Sequence, residues 1–425
     1  MNVRAGILVT GTEVITARII DRNGPWVSER LAGHGIEVAH ILVVGDRRED
    51  LEAGLRFMAT EGCDLIVTSG GLGPTADDLT AAVVGRFAGV EMVLDEEMEG
   101  KIAKIIAGFA RRMRFDPDAL RAANRKQAMV PVGATTIDPA GTAPGLVIST
   151  ADGPVIVVLP GPPRELHAMW DQALASDPVR FVLERAEAYE VQTVRLFGIP
   201  ESEIAQSLRE IEEKIDLSPL EITTCLRRGE LEIDIRHRRG ALKTREALVQ
   251  GLNERFERFI FSLDGSTIGD QVAELLQGHR IGLAESCTGG MLAARLSERP
   301  GASEYLAGGV VSYSNEAKSE LLGVDPAAIE AHGAVSPEVA KAMAEGALLR
   351  FEADVACAIT GIAGPGGGSA EKPVGYICWC VLDASGTVLS RDIVMPGDRA
   401  EIRDRSTTVA MQMLRRLLRG EELPV

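Results

Sequence analysis

The stretch Ala284-Glu285-Ser286-Cys287-Thr288-Gly289-Gly290 decides how the last third of this 425-residue chain is read. A short apolar run, residues 281–284, precedes it, and a helix-like segment, 291–298, follows. The sequence therefore predicts a strand, a tight glycine-assisted turn and a helix start. Such a turn sets the Ser286 hydroxyl beside a helix N-terminus, where unpaired N–H groups favour a developing negative charge. That is a setting for a nucleophile. It also suits a plain helix cap by Ser286 or Thr288.

Outward from this turn, helix-like and strand-like periodicities alternate. Helix 268–277, strand 281–285, helix 290–298, strand 308–313, helices 316–322 and 337–350, strands 354–360 and 373–382, and a final helix 401–418 follow in order. Ligands collect outside the carboxyl ends of strands in open α/β sheets. Three such ends are polar or glycine-rich, so they are expected to converge: Ser286, the run from Ser312 to Lys318, and the run from Thr360 to Gly368. No GxSxG elbow and no histidine motif marks a triad. Lys318 is the candidate base of a Ser–Lys pair. It must then be substantially neutral near pH 7, against an ordinary value of about 10.4. That change is worth on the order of 4 kcal/mol, supplied by desolvation and neighbouring charge. Tyr313 is placed to relay or donate a proton, and Cys287 is a rival nucleophile. The glycine loops let backbone amides approach a phosphate or an oxyanion, although no Walker A motif is present. Arg399 and Arg403, with Arg405, read either as a phosphate clamp or as a charged helix start.

The first 170 or so residues alternate in the same way. Strands are expected at 5–10, 36–44, 64–69 and 155–159, with helices at 26–34, 49–60 and 76–86, as in a parallel α/β layer fold. The run Gly70-Gly71-Leu72-Gly73-Pro74-Thr75-Ala76-Asp77-Asp78 follows a strand and opens a helix. Its amides suit a phosphate, and Asp77 and Asp78 offer hard oxygens to a divalent cation. Asp46 is a further carboxylate at a strand end, and Glu13 follows the first strand. Asn23, Lys126, Gln127, Thr142 and the run from Pro160 to Glu165 add polar groups. Between the two halves, strands at 191–197, 221–226 and 230–237 with helices at 201–212 and 244–256 read as a small α+β region.

Composition narrows the partners. The length suggests about three domains. A net charge of -17 argues against nucleic acid or an anionic membrane as a non-specific partner. The 6 cysteines form no CxxC pair, which points to a reducing cytoplasm. Cys378 and Cys380 are expected on one face of a strand. No run approaches the roughly 20 apolar residues of a membrane span, and the start does not read as a signal peptide.

The runs Ala284–Gly290, Val310–Lys318, Leu321–Val324, Gly333–Ser336, Thr360–Gly368 and Lys372–Gly375 resemble the C-terminal domain of the CinA family, which is similar to nicotinamide mononucleotide deamidases. The resemblance implies hydrolysis of the carboxamide of nicotinamide mononucleotide to nicotinate mononucleotide and ammonia, without a cofactor. It gives Ser286 as nucleophile, Lys318 as base and Tyr313 as assistant. Thr288, Gly289, Gly290, Thr360, Gly361 and Gly364 would meet the substrate, and Arg399 or Arg403 its phosphate. The Gly-Gly-Leu-Gly-Pro-Thr-Ala-Asp-Asp-Leu-Thr, Gly141–Gly145 and Pro160–Glu165 runs resemble the N-terminal domain of the same family, related in fold to molybdopterin-binding proteins. They imply a metal-dependent pyrophosphatase that splits ADP-ribose into AMP and ribose 5-phosphate. Asn23, Gly70, Gly71, Gly73, Thr75, Lys126 and Thr142 would bind that substrate, and Asp46, Asp77 and Asp78 the metal. The family often has Asp where this chain has Thr12, and Gly where it has Ala17. The segment from Phe197 to Ser202 onward resembles the KH-like connector of full-length members, but it has no GxxG clamp for nucleic acid. The fold expected is two three-layer α/β domains, 1–172 and 264–425, joined by a KH-like α+β domain, 173–263. A cytoplasmic homodimer of pyridine-nucleotide salvage is implied. The rival readings are a non-catalytic competence or DNA-damage-response accessory, or a chain in which one of the two sites is active.

Overall fold

A computed structural model describes residues 3–110 and 117–422. The chain packs as two compact units, Met1–Tyr189 and Glu190–Val425. Strands of the first unit are β1 (Arg4–Thr10), β2 (Glu37–Val44), β3 (Leu65–Ser69), β4 (Met92–Leu94), β5 (Met129–Pro131), β6 (Thr135–Ile137), β7 (Gly145–Ser149) and β8 (Val155–Leu159). Six of them form one sheet in the order β2-β1-β3-β8-β7-β6. β1, β2, β3 and β8 run parallel, while β7 and β6 are antiparallel additions at one edge. The parallel expectation thus holds for these four strands and not for the other two. β1, β3 and β8 are covered on both faces, whereas edge strand β2 leaves Ile41 and Val43 exposed. Ile7, Val9, Val67 and Val157 face one core, and Leu8, Ile66 and Val158 face the other, as the period of 2 along a strand requires.

The second unit holds two sheets. Its strands are β9 (Tyr189–Phe197), β10 (Leu220–Arg227), β11 (Glu230–Arg238), β12 (Ile260–Ser262), β13 (Ile281–Glu285), β14 (Leu306–Val311), β15 (Val355–Gly361), β16 (Tyr376–Asp383) and β17 (Val388–Val394). The smaller sheet runs β10-β11-β9-β12. Ile204 of helix Glu201–Glu212 and Leu248 and Leu252 of helix Leu242–Phe256 pack on its Val194, Leu196, Ile233 and Ile235. The larger sheet runs β14-β13-β15-β16-β17, with β14, β13 and β15 parallel and β16 and β17 antiparallel. Strand β17 was not anticipated from the sequence. Its residues alternate between exposed and half-buried, as at a sheet edge, and its polar Ser390, Arg391 and Asp392 hide the pattern. Cys378 and Cys380 do share one buried face of β16.

One face of the larger sheet is lined by small residues: Ala284, Ala356 and Ala358. Helix Pro337–Arg350 presses against them with its own Ala340, Ala344 and Ala347. Gly282 has no side chain because the Ala347 carbonyl oxygen stands 2.8 Å from where a Cβ would be. On the same helix, Gly346 faces the Leu322 carbonyl, 1.9 Å from a Cβ position. Leu322 ends helix Asn315–Leu322, which carries Lys318. The close approach therefore seats the lysine helix as well as the sheet. Helix Arg399–Arg419 covers the other face, and its Gln412 donates to buried Glu230 at 2.7 Å. Among the described residues, no helix is long and apolar enough to cross a membrane.

A methyl group at position 346 meets backbone, which cannot swing aside. Gly346→Ala is expected to destabilise this unit by about 1–3 kcal/mol through overpacking, read as a lower denaturant midpoint for tryptophan fluorescence of buried Trp379.

Candidate active site

At the end of β13, Ser286 donates its N–H to the Ile359 carbonyl at 2.9 Å and accepts the Gly289 N–H at 3.1 Å. The turn closes through Gly289 and Gly290, whose φ values of 61° and 93° lie in the left-handed region that glycine adopts without strain. The cap expected from Ser286 or Thr288 is absent: neither side chain caps helix Met291–Ser297. Glu285 satisfies that helix start instead. Its carboxylate accepts the N–H groups of Gly290 at 3.0 Å, Leu292 at 3.1 Å and Ala293 at 2.8 Å. The amides of Gly289 and Gly290, expected as donors to a ligand, are thus already engaged.

Ser314 caps helix Asn315–Leu322, accepting the Ala317 N–H at 3.1 Å. Lys318 lies one turn further on and points back under the sheet. Its Nζ stands 3.1 Å from Ser286 Oγ and donates to the Ser312 carbonyl at 2.8 Å. The lysine is 2% exposed and Ser286 8%. Burial holds the amine below its ordinary value of 10.5, and among the described residues no carboxylate pairs with it. Cys287 is 5% exposed and packs into the core, and burial pushes its thiol up to about 12, which disfavours the thiolate a rival nucleophile needs.

Around this pair the other expected residues divide. Tyr313 is 59% exposed, and its hydroxyl accepts from Arg399 Nη2 at 2.8 Å. Arg399 Nη1 donates to the Gly364 carbonyl at 2.6 Å. Three loops thereby meet at the rim. Arg403, expected at a phosphate, holds the 286–290 turn, with Nε donating to the Cys287 carbonyl and Nη2 to the Thr288 carbonyl, each at 2.9 Å. Thr360 is buried and donates to the Ala334 carbonyl at 2.9 Å, so its hydroxyl braces the neighbouring loop. Gly361 leaves no room for a side chain: Ile377 Cδ1 stands 2.2 Å from its Cβ position. The sequence reading missed Glu285 and the carbonyl of Ser312. A Glu directly before a turn that opens a helix is the only signal for the first, and a backbone acceptor leaves none.

In the first unit a cleft of about 320 Å³ opens at the carboxyl ends of β1, β3 and β8. Gly70, Gly71, Gly73, Thr142, Asp46, Asp77, Asp78 and Glu165 line it. Asn23 bridges Ser69 Oγ and the Gly161 carbonyl, each at 2.7 Å, and so fastens two of the loops. Gln127 joins the Leu72 carbonyl at 3.0 Å to Thr142 Oγ1 at 3.3 Å. Lys126 donates to the Thr75 carbonyl. The helix expected from residue 76 begins at Thr80, because Thr75, Asp77 and Asp78 form a turn of their own. Thr75 Oγ1 donates to both Asp77 and Asp78. Asp46 accepts from the Thr12 N–H and hydroxyl, both at 2.8 Å, so the residue at position 12 orients that carboxylate rather than adding another. Ala17 adopts φ 55°, a conformation natural to glycine. Among the described residues, no group of three His, Cys, Asp or Glu could hold a metal ion.

A buried lysine whose folded value lies below its unfolded one has a definite pH signature. The folded protein binds fewer protons, so stability rises with pH from that lowered value up to about 10.5. Lys318→Met removes this slope. It is expected to leave stability near pH 7 unchanged or higher, measured by thermal unfolding across pH 7–10.5.

Residues 266–418 match the family model described as CinA C-terminal domain, and residues 6–178 the one described as probable molybdopterin binding domain. The chain is 57% identical over 422 residues to a CinA-like protein of Mycolicibacterium vanbaalenii, covering 99% of this chain and 100% of that protein. It is 55% identical over 425 residues to a CinA-like protein of Mycobacterium tuberculosis, covering 99% and 98%. A solved structure, the competence/damage inducible protein CihA from Agrobacterium tumefaciens, is 41% identical with a TM-score of 0.34, covering 36% of this chain and 97% of its own. With full-length likeness of this order, and with both domain models matched on the two sides of the small sheet, the chain belongs to the CinA family.

Proposed function

We propose that the second unit hydrolyses the carboxamide of nicotinamide mononucleotide, with Ser286 as nucleophile and Lys318 as base. The observation that carries this reading is the 3.1 Å approach of a buried, carboxylate-free amine to a serine hydroxyl. Ser286 Oγ bonds to the amide carbon while its proton passes to Nζ. The oxyanion collapses, the C–N bond breaks, and ammonia departs with the proton returned from Nζ. Water, deprotonated by the same amine, then cleaves the acyl ester and frees Oγ. Tyr313, whose oxygen accepts from Arg399, keeps its O–H free to hydrogen-bond the leaving nitrogen without giving up its proton. The exposed Arg399 is the candidate for the ribotide phosphate, whereas Arg403 is committed to the turn. Incubation with nicotinamide mononucleotide should release ammonia, and Ser286→Ala should lower the rate at least about a thousandfold. Full release by that variant would end the assignment.

A second reading concerns the first unit, and the cleft with its glycine loop favours it. We infer that it binds the diphosphate of ADP-ribose and hydrolyses it to AMP and ribose 5-phosphate. Asp77 and Asp78 converge on one hydroxyl, Thr75 Oγ1. Such a pair suits an ion that takes its remaining ligands from substrate phosphate and water, as Mg²⁺ does. When bound, a divalent ion would neutralise diphosphate charge. AMP release that requires added divalent cation, is lost in Asp78→Ala and leaves ammonia release intact is the expected result; AMP formation unchanged in Asp78→Ala rejects it. A cytoplasmic homodimer serving pyridine-nucleotide salvage is the setting this reading implies, and a purely accessory role in competence is its rival.

A further inference from the structure

We propose that Glu285 is a positioning residue for the nucleophile: its carboxylate ties the 286–290 turn to the helix start while its backbone ties the strand end that orients the base. This rests on the Ser–Lys reading above. Glu285 is 2% exposed and makes no ion pair with any described residue. Its side chain takes three amides, from Gly290, Leu292 and Ala293. Its carbonyl accepts the Ser312 N–H at 2.8 Å, and the Ser312 carbonyl in turn holds Lys318 Nζ at 2.8 Å. Nucleophile and base are thus fixed from the same residue, one through the side chain and the other through the main chain.

A bare carboxylate directly before a nucleophile would oppose the alkoxide that forms in the reaction. Here its charge is absorbed by the amides at the helix start, and those amides are no longer free to act on an oxyanion. The role left to Glu285 is geometric. A displacement of about 1 Å between reacting groups can cost about a hundredfold in rate. Glutamine at this position can accept through one oxygen only, so one set of amides is lost. Aspartate keeps the charge but is one methylene too short to serve both sets.

The test is the rate constant for labelling Ser286 with a fluorophosphonate, in which Oγ bonds to phosphorus, fluoride leaves and the hydroxyl proton passes to Lys318. Labelling is read at a temperature where circular dichroism shows each variant fully folded, so lost stability does not imitate lost positioning. Both Glu285→Gln and Glu285→Asp should slow labelling about tenfold or more. The KM for nicotinamide mononucleotide should stay within about twofold, because Tyr313, Arg399 and the Gly364 loop do not touch Glu285. Wild-type labelling in either variant overturns the proposal, and a normal rate in Glu285→Asp alone would assign the residue to charge. If wild type labels at Ser286 but releases no ammonia from nicotinamide mononucleotide, the substrate reading fails and the positioning claim still stands to be judged.

Discussion

The second unit is organised around an amine that has been taken out of water. A lysine side chain carries a charge that burial penalises, and among the described residues no carboxylate pairs with Lys318 to compensate. Elsewhere in the same unit charges below the surface are met: Arg195 pairs with Glu232, and Arg415 with Glu421. The contrast sets structural ion pairs apart from an amine whose burial disfavours its charge. The strand order, the small-residue face of the sheet and the Ser314 cap all serve to bring that amine beneath the β13 turn. Replacing it by an apolar residue would suit the fold and defeat the site, which is the usual trade between stability and activity.

Much of this arrangement was legible in the sequence. The apolar run before Ser286 and the glycines after it specify a strand and a turn, and the helix read at 316–322 carries the lysine, while its cap by Ser314 was seen only in the structure. What the sequence could not supply is partner choice. Arg399 and Arg403 stand four apart on one helix and looked equivalent, yet one pins a tyrosine at the rim and the other clamps two carbonyls of the nucleophile turn. Side-chain-to-carbonyl bonds of this kind leave no residue pattern. The acids of the first unit misled in a related way. Asp77 and Asp78 read as first-turn helix residues, but the threonine before them captures both and delays the helix to Thr80. Edge strand β17 was missed because half its residues face water.

The smaller sheet of the second unit also meets the long helix. Helix Arg399–Arg419 is buried along most of its length, with Thr407, Thr408, Gln412 and Arg415 on a polar yet covered side. Arg295 donates to both threonines at 2.8 Å, and Glu230 receives Gln412. The helix that begins with Arg399 and Arg403 is therefore gripped from the α+β side as well as from the larger sheet.

The burial of Cys287 bears on its reactivity. Its sulfur lies one residue from the Ser286 hydroxyl, where a low-pKa thiolate would be an easy target for peroxide and electrophiles. Buried and held as the thiol, it presents no such nucleophile. Residue 287 therefore sits beside Ser286 as a packed sulfur of the core, and the desolvation that keeps its proton on also disfavours charge on the Lys318 amine.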